Sequence, residues 1–297
     1  METFRIASGP LVAELMPELG GRIVALRLVD DPARPLDVLV PLVGAPMLPP
    51  RWPKAGAYPL APYSNRIADA RLAFRGQTHD LPPHPDALPH TVHGHAHRMP
   101  WQVAERGPDH ATLVYEHDGA GEWPWRFMVE QRIRLAGARL TVAFAFANRD
   151  ARPAPAGFGW HPYFPIKGSP RIAFKAGTLW HQSDDNVALG TAERRVPADA
   201  PVDLDGRGTT LYFGEWNGSC AFETGTGISV RLFADPVLSH LVLHRPAGID
   251  YICIEPVSHV ADGFNLAARG IANTGTRALD PGDILSGGVT MDVARTG

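Results

Sequence analysis

Two neighbouring segments of the chain alternate between apolar and polar residues, and this pattern constrains the fold more than any other feature. Residues 126–135 and 139–148 have the period of two that is typical of half-buried strands. They are joined through Ala136-Gly137-Ala138, which predicts a tight antiparallel hairpin. Shorter alternating segments recur along the chain, and no amphipathic run is long enough to predict a long helix.

Glycine and proline are abundant, at 30 and 29 of 297 residues, and are spread along the chain. This composition is typical of many short strands joined by turns, such as the turn predicted at Gly20-Gly21. We therefore predict an all-β fold, an antiparallel sandwich or barrel with few short helices. No linker is evident, and large all-β folds reach about 250 residues as one domain. Residues 1–297 are predicted to form a single domain.

Charge and hydrophobicity narrow the class of protein. The net charge of −3 gives no basic footprint, so nucleic acid is not an expected partner. No apolar run approaches the roughly 20 residues of a membrane helix, and the N-terminus has no signal-peptide pattern. We expect a soluble, cytoplasmic protein. The two cysteines, Cys220 and Cys253, cannot form a disulfide framework and are predicted to be buried, reduced thiols.

A single carboxylate stands out in residues 249–259, I-D-Y-I-C-I-E-P-V-S-H. The segment predicts a strand up to Ile254 that ends at Glu255, because Pro256 cannot continue a central ladder. A charged group where a buried strand ends is costly unless it is paired, solvated or used. Glu255 is therefore either a strand-end residue that faces water or an arginine, or a functional carboxylate.

Three histidines alternate in His93-Gly94-His95-Ala96-His97. On a strand they would share one face, and the spacing suits metal ligands. The segment contains glycine and is predicted to be a loop, however, and no cysteine or carboxylate lies nearby in sequence to complete a site. A single functional histidine is the favoured interpretation, surface histidines come next, and a metal site is least favoured.

Two further loops carry candidate binding residues. Residues 153–165 are predicted to form a loop in which His161 lies among aromatic residues, which suits a hydroxyl-rich, partly apolar ligand such as a sugar. A loop that only packs on the core is the alternative. Arg66, after Asn65, either offers planar donors to ligand oxygens or caps a sheet edge. No glycine-rich phosphate loop and no nucleophile motif is present.

Five segments in order resemble those of the aldose 1-epimerases, the galactose mutarotase-like family, and more closely its bacterial branch of uncertain sugar specificity. They are Y-P-L-A-P-Y-S-N-R-I (58–67), H-T-V-H-G-H (90–95), W-P-W-R-F (123–127), A-G-F-G-W-H-P-Y-F-P (156–165) and D-Y-I-C-I-E-P-V-S-H (250–259). The resemblance implies a large antiparallel β-supersandwich. It also implies an enzyme without a cofactor that interconverts the α and β anomers of a free aldose.

The resemblance assigns roles to individual residues. Glu255 matches the general base that takes the proton from the C1 hydroxyl, and His161 matches the general acid that protonates the ring oxygen. His93 matches a second histidine near the ring oxygen, and Arg66 matches a residue that binds sugar hydroxyls. How the acid role divides between His93 and His161 stays open. Further predicted substrate-binding residues are Asn65, Trp160 and Tyr163.

The chain departs from the family in one segment that bears on the choice of sugar. Many members carry a hydroxyl-binding aspartate just before the segment that matches residues 211–213. Here Thr209 and Thr210 occupy that neighbourhood, with Asp203 and Asp205 further back. Which residue replaces the aspartate, and which aldose is used, stay open.

Three other functions remain as alternatives to a free-aldose epimerase. A hexose-phosphate 1-epimerase would need a cationic cluster, for which Arg51, Lys54 and Arg98 are the candidates. A catalytically inactive sugar-binding protein would keep the pocket alone. A metal hydrolase would use the three alternating histidines. The expected partner is a small-molecule sugar, and the protein is expected to be a monomer or homodimer.

Overall fold

Most of the regular secondary structure is β-strand, as the alternating segments predict. The computed structural model describes residues 2–44, 49–195, 202–204 and 208–296. Its strands are β1 Phe4–Ser8, β2 Leu11–Met16, β3 Arg22–Leu28, β4 Leu36–Asp37, β5 Ala57–Leu60, β6 Arg66–Ile67, β7 Arg71–Phe74, β8 Gln77–Asp80, β9 Thr91–Val92, β10 Gln102–Arg106, β11 His110–Asp118, β12 Arg126–Ala136, β13 Arg139–Asn148, β14 Ala154–Ala156, β15 Gly159–Pro165, β16 Arg171–Gln182, β17 Ala188–Arg194, β18 Val202–Asp203, β19 Thr209–Glu223, β20 Ile228–Ala234, β21 His240–Arg245, β22 Tyr251–Val257, β23 Arg277–Leu279 and β24 Ile284–Arg295. The helices are α1 Gly263–Ala268 and the 3₁₀ turns Ala68–Ala70 and Ala96–Arg98.

In the described part of the chain, eighteen strands belong to one antiparallel sheet. The predicted hairpin is β12–β13, in which Ala136 lies opposite Arg139. From it, the ladder runs β13–β24–β20–β19 on one side. A second series runs β1–β2–β3–β5–β15–β22–β21–β19. The first half of β19 pairs with β21 and its second half pairs with β20, so this one long strand connects the two series.

Two of the three hydrophobic clusters in the described residues hold the sheet together. The larger one collects the inward-facing residues of the long strands, including Phe127, Val129 and Phe146. A smaller one, with Tyr58, Tyr163, Tyr212 and Val242 among its members, lies against the candidate site described below. Each fully buried apolar side chain of this size contributes about 1.5–3 kcal/mol. The two cysteines are buried and unpaired, as predicted.

Pro256 does not end its strand, which corrects the prediction that the strand breaks at Glu255. Strand β22 continues to Val257, and Pro256 lies opposite Leu241 of β21. On its other side, the pairing of β22 with β15 is interrupted between the pairs Gly159–Val257 and Tyr163–Cys253. A proline is tolerated there because its missing N–H removes no bond from that ladder.

The predicted loop 153–165 is also mostly strand, because β14 and β15 occupy it. In β15 the prolines 162 and 165 are part of a strand that pairs with β5 and β22. His161 is thus held by sheet register rather than by a loop. None of the helices in the described ranges is long and apolar enough to cross a membrane.

Candidate active site

A cavity of about 210 Å³ opens on one face of the adjacent strands β15, β22, β21 and β19. The strand register places lining residues side by side, because Val242 of β21 lies opposite Glu255 of β22 and Thr210 of β19 lies opposite His244 of β21. Alternate side chains of a strand point to the same face, so His161 and Tyr163 of β15 face the same space. The polar side chains that line the cavity are Lys54, Asn65, Arg66, Asp86, His93, His161, Asn186, Thr210, His244 and Glu255.

Glu255 is almost fully buried at the cavity wall, with 2% of its surface exposed. Its Oε1 lies 3.3 Å from Nε2 of His161, and its Oε2 has no hydrogen-bond partner. Burial raises the pKa of Glu255 to about 8, and the charge of Arg66 acts in the opposite direction. A carboxyl group that can hold or release a proton near neutral pH is thus aimed into the cavity.

The imidazole of His161 packs against two tyrosine rings. It stacks on Tyr58 at 4.6 Å and on Tyr163 at 4.8 Å between ring centroids. Burial lowers the pKa of His161 well below its usual value, and the charges of His93 and His244 add to the effect. His161 and Glu255 therefore share one proton at neutral pH, and this proton resides on the carboxyl side when the cavity holds no ligand.

His93 lines the cavity beside this pair, with its ring centroid 5.1 Å from that of His161. Its Nδ1 accepts a hydrogen bond of 3.1 Å from the backbone N–H of Asn65. Burial lowers the pKa of His93 well below its usual value, so the ring is neutral. A neutral imidazole whose Nδ1 accepts must carry its proton on Nε2. His93 therefore presents an N–H donor to a ligand.

The other two alternating histidines leave the cavity. His95 Nε2 lies 3.1 Å from Nδ1 of His117, and His97 stacks on Tyr58 on the side away from the ligand space. The described residues contain one group with the spacing of metal ligands, and it comprises His161, Cys253 and Glu255. Burial raises the pKa of the Cys253 thiol well above its usual value, so this thiol is protonated when no cation is bound.

Asn65 fixes Arg66 at the cavity wall. The side-chain oxygen of Asn65 accepts hydrogen bonds from the Arg66 backbone N–H at 2.9 Å and from the Tyr212 hydroxyl at 3.1 Å. It also lies 3.4 Å from the Arg66 guanidinium. In the described ranges Arg66 forms no ion pair, and its Nε is buried without a partner. The guanidinium is therefore available to ligand oxygens, whereas Asn65 acts chiefly by positioning it.

The family model for aldose 1-epimerase matches residues 8–291. The chain belongs to the aldose 1-epimerase family. This confirms the family that the five sequence segments indicate, and it extends the match to nearly the whole chain.

Relatives of this aldose 1-epimerase family member include the uncharacterized protein YphB of Escherichia coli K12. It is 27% identical over 250 residues, which cover 80% of this chain and 84% of that protein. A crystal structure of a protein proposed to be an aldose 1-epimerase from Escherichia coli K12 aligns with a TM-score of 0.84 at 24% identity, over 99% of each chain. The GalM/aldose epimerase homologue of Caenorhabditis elegans aligns with a TM-score of 0.81 at 16% identity, over 100% of this chain and 99% of that one. These likenesses confirm the predicted β-supersandwich of the galactose mutarotase-like fold.

Trp160 is the one predicted site residue of this aldose 1-epimerase family member that does not reach the cavity. It is fully buried in the larger hydrophobic cluster, with 0% of its surface exposed. The reason is the alternation of β15, which turns Trp160 to the face opposite from its neighbour His161. Tyr163, two positions beyond His161, does line the cavity.

The segment that departs from the family pattern also lies at the cavity. Thr210 lines it, and its hydroxyl is 2.9 Å from Nδ1 of His244 on the neighbouring strand. His244 is a lining residue that sequence reasoning missed, because an isolated histidine in a strand gives no signal. Asp205 lies outside the described residues, and so does the side chain of Asp203.

The candidate phosphate cluster is not assembled among the described residues. Lys54 lines the cavity, but Arg51 and Arg98 do not. Arg51 pairs with Asp86 at 3.3 Å, and Arg98 pairs with Glu122 outside the cavity. One ammonium group, rather than a set of three cations, therefore faces the ligand space from these positions.

Proposed function

We propose that this protein is an aldose 1-epimerase that interconverts the α and β anomers of a free aldose. The observation that carries the proposal is the pair formed by His161 and Glu255, 3.3 Å apart at the wall of a sugar-sized cavity. Opening a cyclic hemiacetal needs one proton removed from the C1 hydroxyl and one delivered to the ring oxygen. A carboxyl and an imidazole that share one proton can do both.

The proposed reaction begins with the pair in its carboxylate–imidazolium form, which proton transfer between Oε1 and Nε2 produces. Glu255 takes the proton from the C1 hydroxyl, and a C=O bond forms at C1. The bond between C1 and the ring oxygen breaks, its electrons go to that oxygen, and His161 protonates it. Rotation about C1–C2 followed by the reverse steps closes the ring on the other face. Over the ring-opening step Glu255 gains one proton, His161 loses one, and no atom changes its oxidation state overall.

Three other lining residues, His93, Arg66 and Tyr163, can bind the sugar during this reaction. His93 offers its Nε2–H to the ring oxygen or a neighbouring hydroxyl, because its Nδ1 is occupied by the backbone of Asn65. Arg66 offers guanidinium N–H groups to sugar hydroxyls, and its Nε–H has no partner within the described residues. The ring of Tyr163 forms part of the wall and suits the C–H face of a pyranose.

Polarimetry tests the proposal directly. Freshly dissolved α-D-glucose and α-D-galactose should relax to their equilibrium rotation faster with the protein than in buffer alone, in proportion to enzyme concentration. A sugar-binding protein of the same fold would bind these aldoses without changing the relaxation rate. Unaccelerated relaxation of every free aldose tested would refute the proposal.

The shared proton predicts how the rate depends on pH. The pKa of Glu255, raised to about 8, means that the pair keeps its proton below this pH and loses it above. Once the proton is lost, His161 has none to deliver. We expect kcat/KM to be level near neutral pH and to fall about tenfold per pH unit above about 8. The check is a pH profile from 6 to 10, corrected for the uncatalysed reaction. A level profile through pH 10 would contradict the shared-proton mechanism.

A further inference from the structure

Lys54 is a cavity residue whose role the proposed mechanism leaves unexplained. It is exposed at the mouth of the cavity, and its ammonium nitrogen lies 3.6 Å from the ring centroid of Trp52. In the described part of the chain it forms no ion pair with a carboxylate. Burial lowers the pKa of Lys54 to about 8, so the group is still mostly protonated at neutral pH. An ammonium without an ion-pair partner at the entrance of a binding cavity is a candidate for recognising a charge on the ligand.

The loop around Lys54 is anchored by a fully buried arginine. Arg22, with 0% of its surface exposed, donates hydrogen bonds to the carbonyl oxygens of Pro53 at 3.3 Å and Ala55 at 2.7 Å. These are the residues immediately before and after Lys54. Arg22 also stacks over the ring of Tyr58 at 4.2 Å. Burying a guanidinium is costly, and here it fixes the backbone on both sides of the lysine.

The acidic groups of the cavity do not neutralise Lys54. Asp86 also lines the cavity and its charge acts on Lys54, but its carboxylate forms an ion pair with Arg51 at 3.3 Å. Glu255 is largely protonated at neutral pH, because burial raises its pKa to about 8. With Arg66 also unpaired, the ligand space carries net positive charge. A cavity with this charge favours an anionic ligand over a neutral one.

A carboxylate suits this arrangement better than a phosphate. Phosphate groups in proteins are usually held by several cations or by a guanidinium fork. Of the three cations that could have formed such a cluster, only Lys54 faces the ligand. Arg66, the other cation of the cavity, acts on Glu255 at the reacting end. The ammonium of Lys54 therefore remains to match a group with a single negative charge.

On the basis of the proposed function, we propose that the substrate is an aldose that carries one carboxylate, such as a hexuronate, and that Lys54 binds this carboxylate at the cavity mouth. The reacting C1 end lies at Glu255 and His161, and the charged end lies toward solvent. Lys54 is thus a specificity-determining residue, whereas the acid–base chemistry is the same for neutral and charged sugars.

The test compares anomerisation of D-glucuronate and D-galacturonate with that of D-glucose and D-galactose. We expect the wild type to prefer the uronates. Lys54→Gln should lower kcat/KM for the uronates by about 10–100-fold, the effect of one charge-assisted hydrogen bond, and change it less than about threefold for neutral sugars. Lys175→Gln, at an exposed lysine of β16, is the matched control and should change neither. Added salt should slow only the uronate reaction.

Three outcomes would overturn this inference. Equal losses for neutral and charged sugars in Lys54→Gln would mean that the lysine only covers Trp52. A preference for glucose 6-phosphate over the uronates would make phosphate the recognised group. Faster turnover of neutral aldoses than of uronates would refute an anionic substrate while leaving the proposed function intact.

Binding separates this inference from the proposed function. Glucuronate binding to Glu255→Gln, followed by saturation-transfer NMR, does not need turnover. We expect the dissociation constant to rise about tenfold or more when Lys54→Gln is added. Intact, Lys54-dependent binding without acceleration by the wild type would refute only the epimerase activity. A dissociation constant that is unchanged by Lys54→Gln would refute only the anionic substrate.

Discussion

Replacing Glu255 by glutamine should lower kcat for anomerisation by about 10²–10⁴-fold, the usual contribution of one positioned acid or base. The amide fills nearly the same volume between β21 and His161, but it cannot accept the proton of the C1 hydroxyl. Substrate affinity should change far less than kcat, because Arg66 and His93 remain in place. The measurement is the initial polarimetric rate over a range of aldose concentrations.

Two controls distinguish a loss of catalysis from a loss of folding in Glu255→Gln. Glu223→Gln, at the exposed end of β19, should keep full activity. Because the pKa of Glu255 is raised in the folded state, its contribution to stability is present at low pH and lost as the pH rises through about 8. Glu255→Gln should therefore gain thermal stability relative to the wild type above about pH 8. A stable variant with wild-type kcat would remove Glu255 from the mechanism.

Replacing Gly20 by alanine should destabilise the fold by roughly 2–5 kcal/mol, the sum of a left-handed backbone strain of about 1–2 kcal/mol and an overpacking cost of about 1–3 kcal/mol. Gly20 has φ +74°, and a Cβ atom there would lie 1.8 Å from the carbonyl oxygen of His97. That oxygen belongs to the 3₁₀ turn Ala96–Arg98, which follows the cavity residue His93. Backbone atoms on both sides must shift, so we expect lost activity as well as a lower midpoint of urea unfolding.

Gly76→Ala is the matched control for this effect. Gly76 has nearly the same backbone angle, φ +76°, but no atom lies within 4 Å of the position of its missing Cβ. It should lose only the backbone part, about 1–2 kcal/mol. Equal destabilisation of the two variants would show that the close approach to His97 contributes nothing.

The architecture could be predicted from the sequence because its causes are local. The alternation of 126–135 and 139–148 places apolar side chains on one face, and a short turn at Gly137 can only return the chain antiparallel. Prolines misled the prediction at two places. Pro256 and the prolines of β15 suggest breaks, yet both strands continue. The ladder between them is interrupted at Pro162 and Pro256, and Pro165 is the last residue of its strand.

Most of the candidate site could be predicted only through its resemblance to a family. Glu255 and His161 are far apart in sequence, and cross-strand register brings them to 3.3 Å. His244 and Tyr212 were missed, since a polar residue in a strand does not reveal which space it faces. The role of Gly20 was similarly hidden, because the sequence predicts a turn there but not the approach of a carbonyl about eighty residues away.

The central claim is best tested by exchange NMR of a freely equilibrating aldose in D₂O with catalytic amounts of the wild-type protein, using both neutral sugars and uronates. We expect exchange between the α and β C1 signals in at least one of these sugars, faster than in buffer, and no deuterium at C1 or C2. Only O–H protons and the bond from C1 to the ring oxygen take part in the proposed reaction. Absence of accelerated exchange with every aldose, or deuterium incorporation at C2, would contradict it.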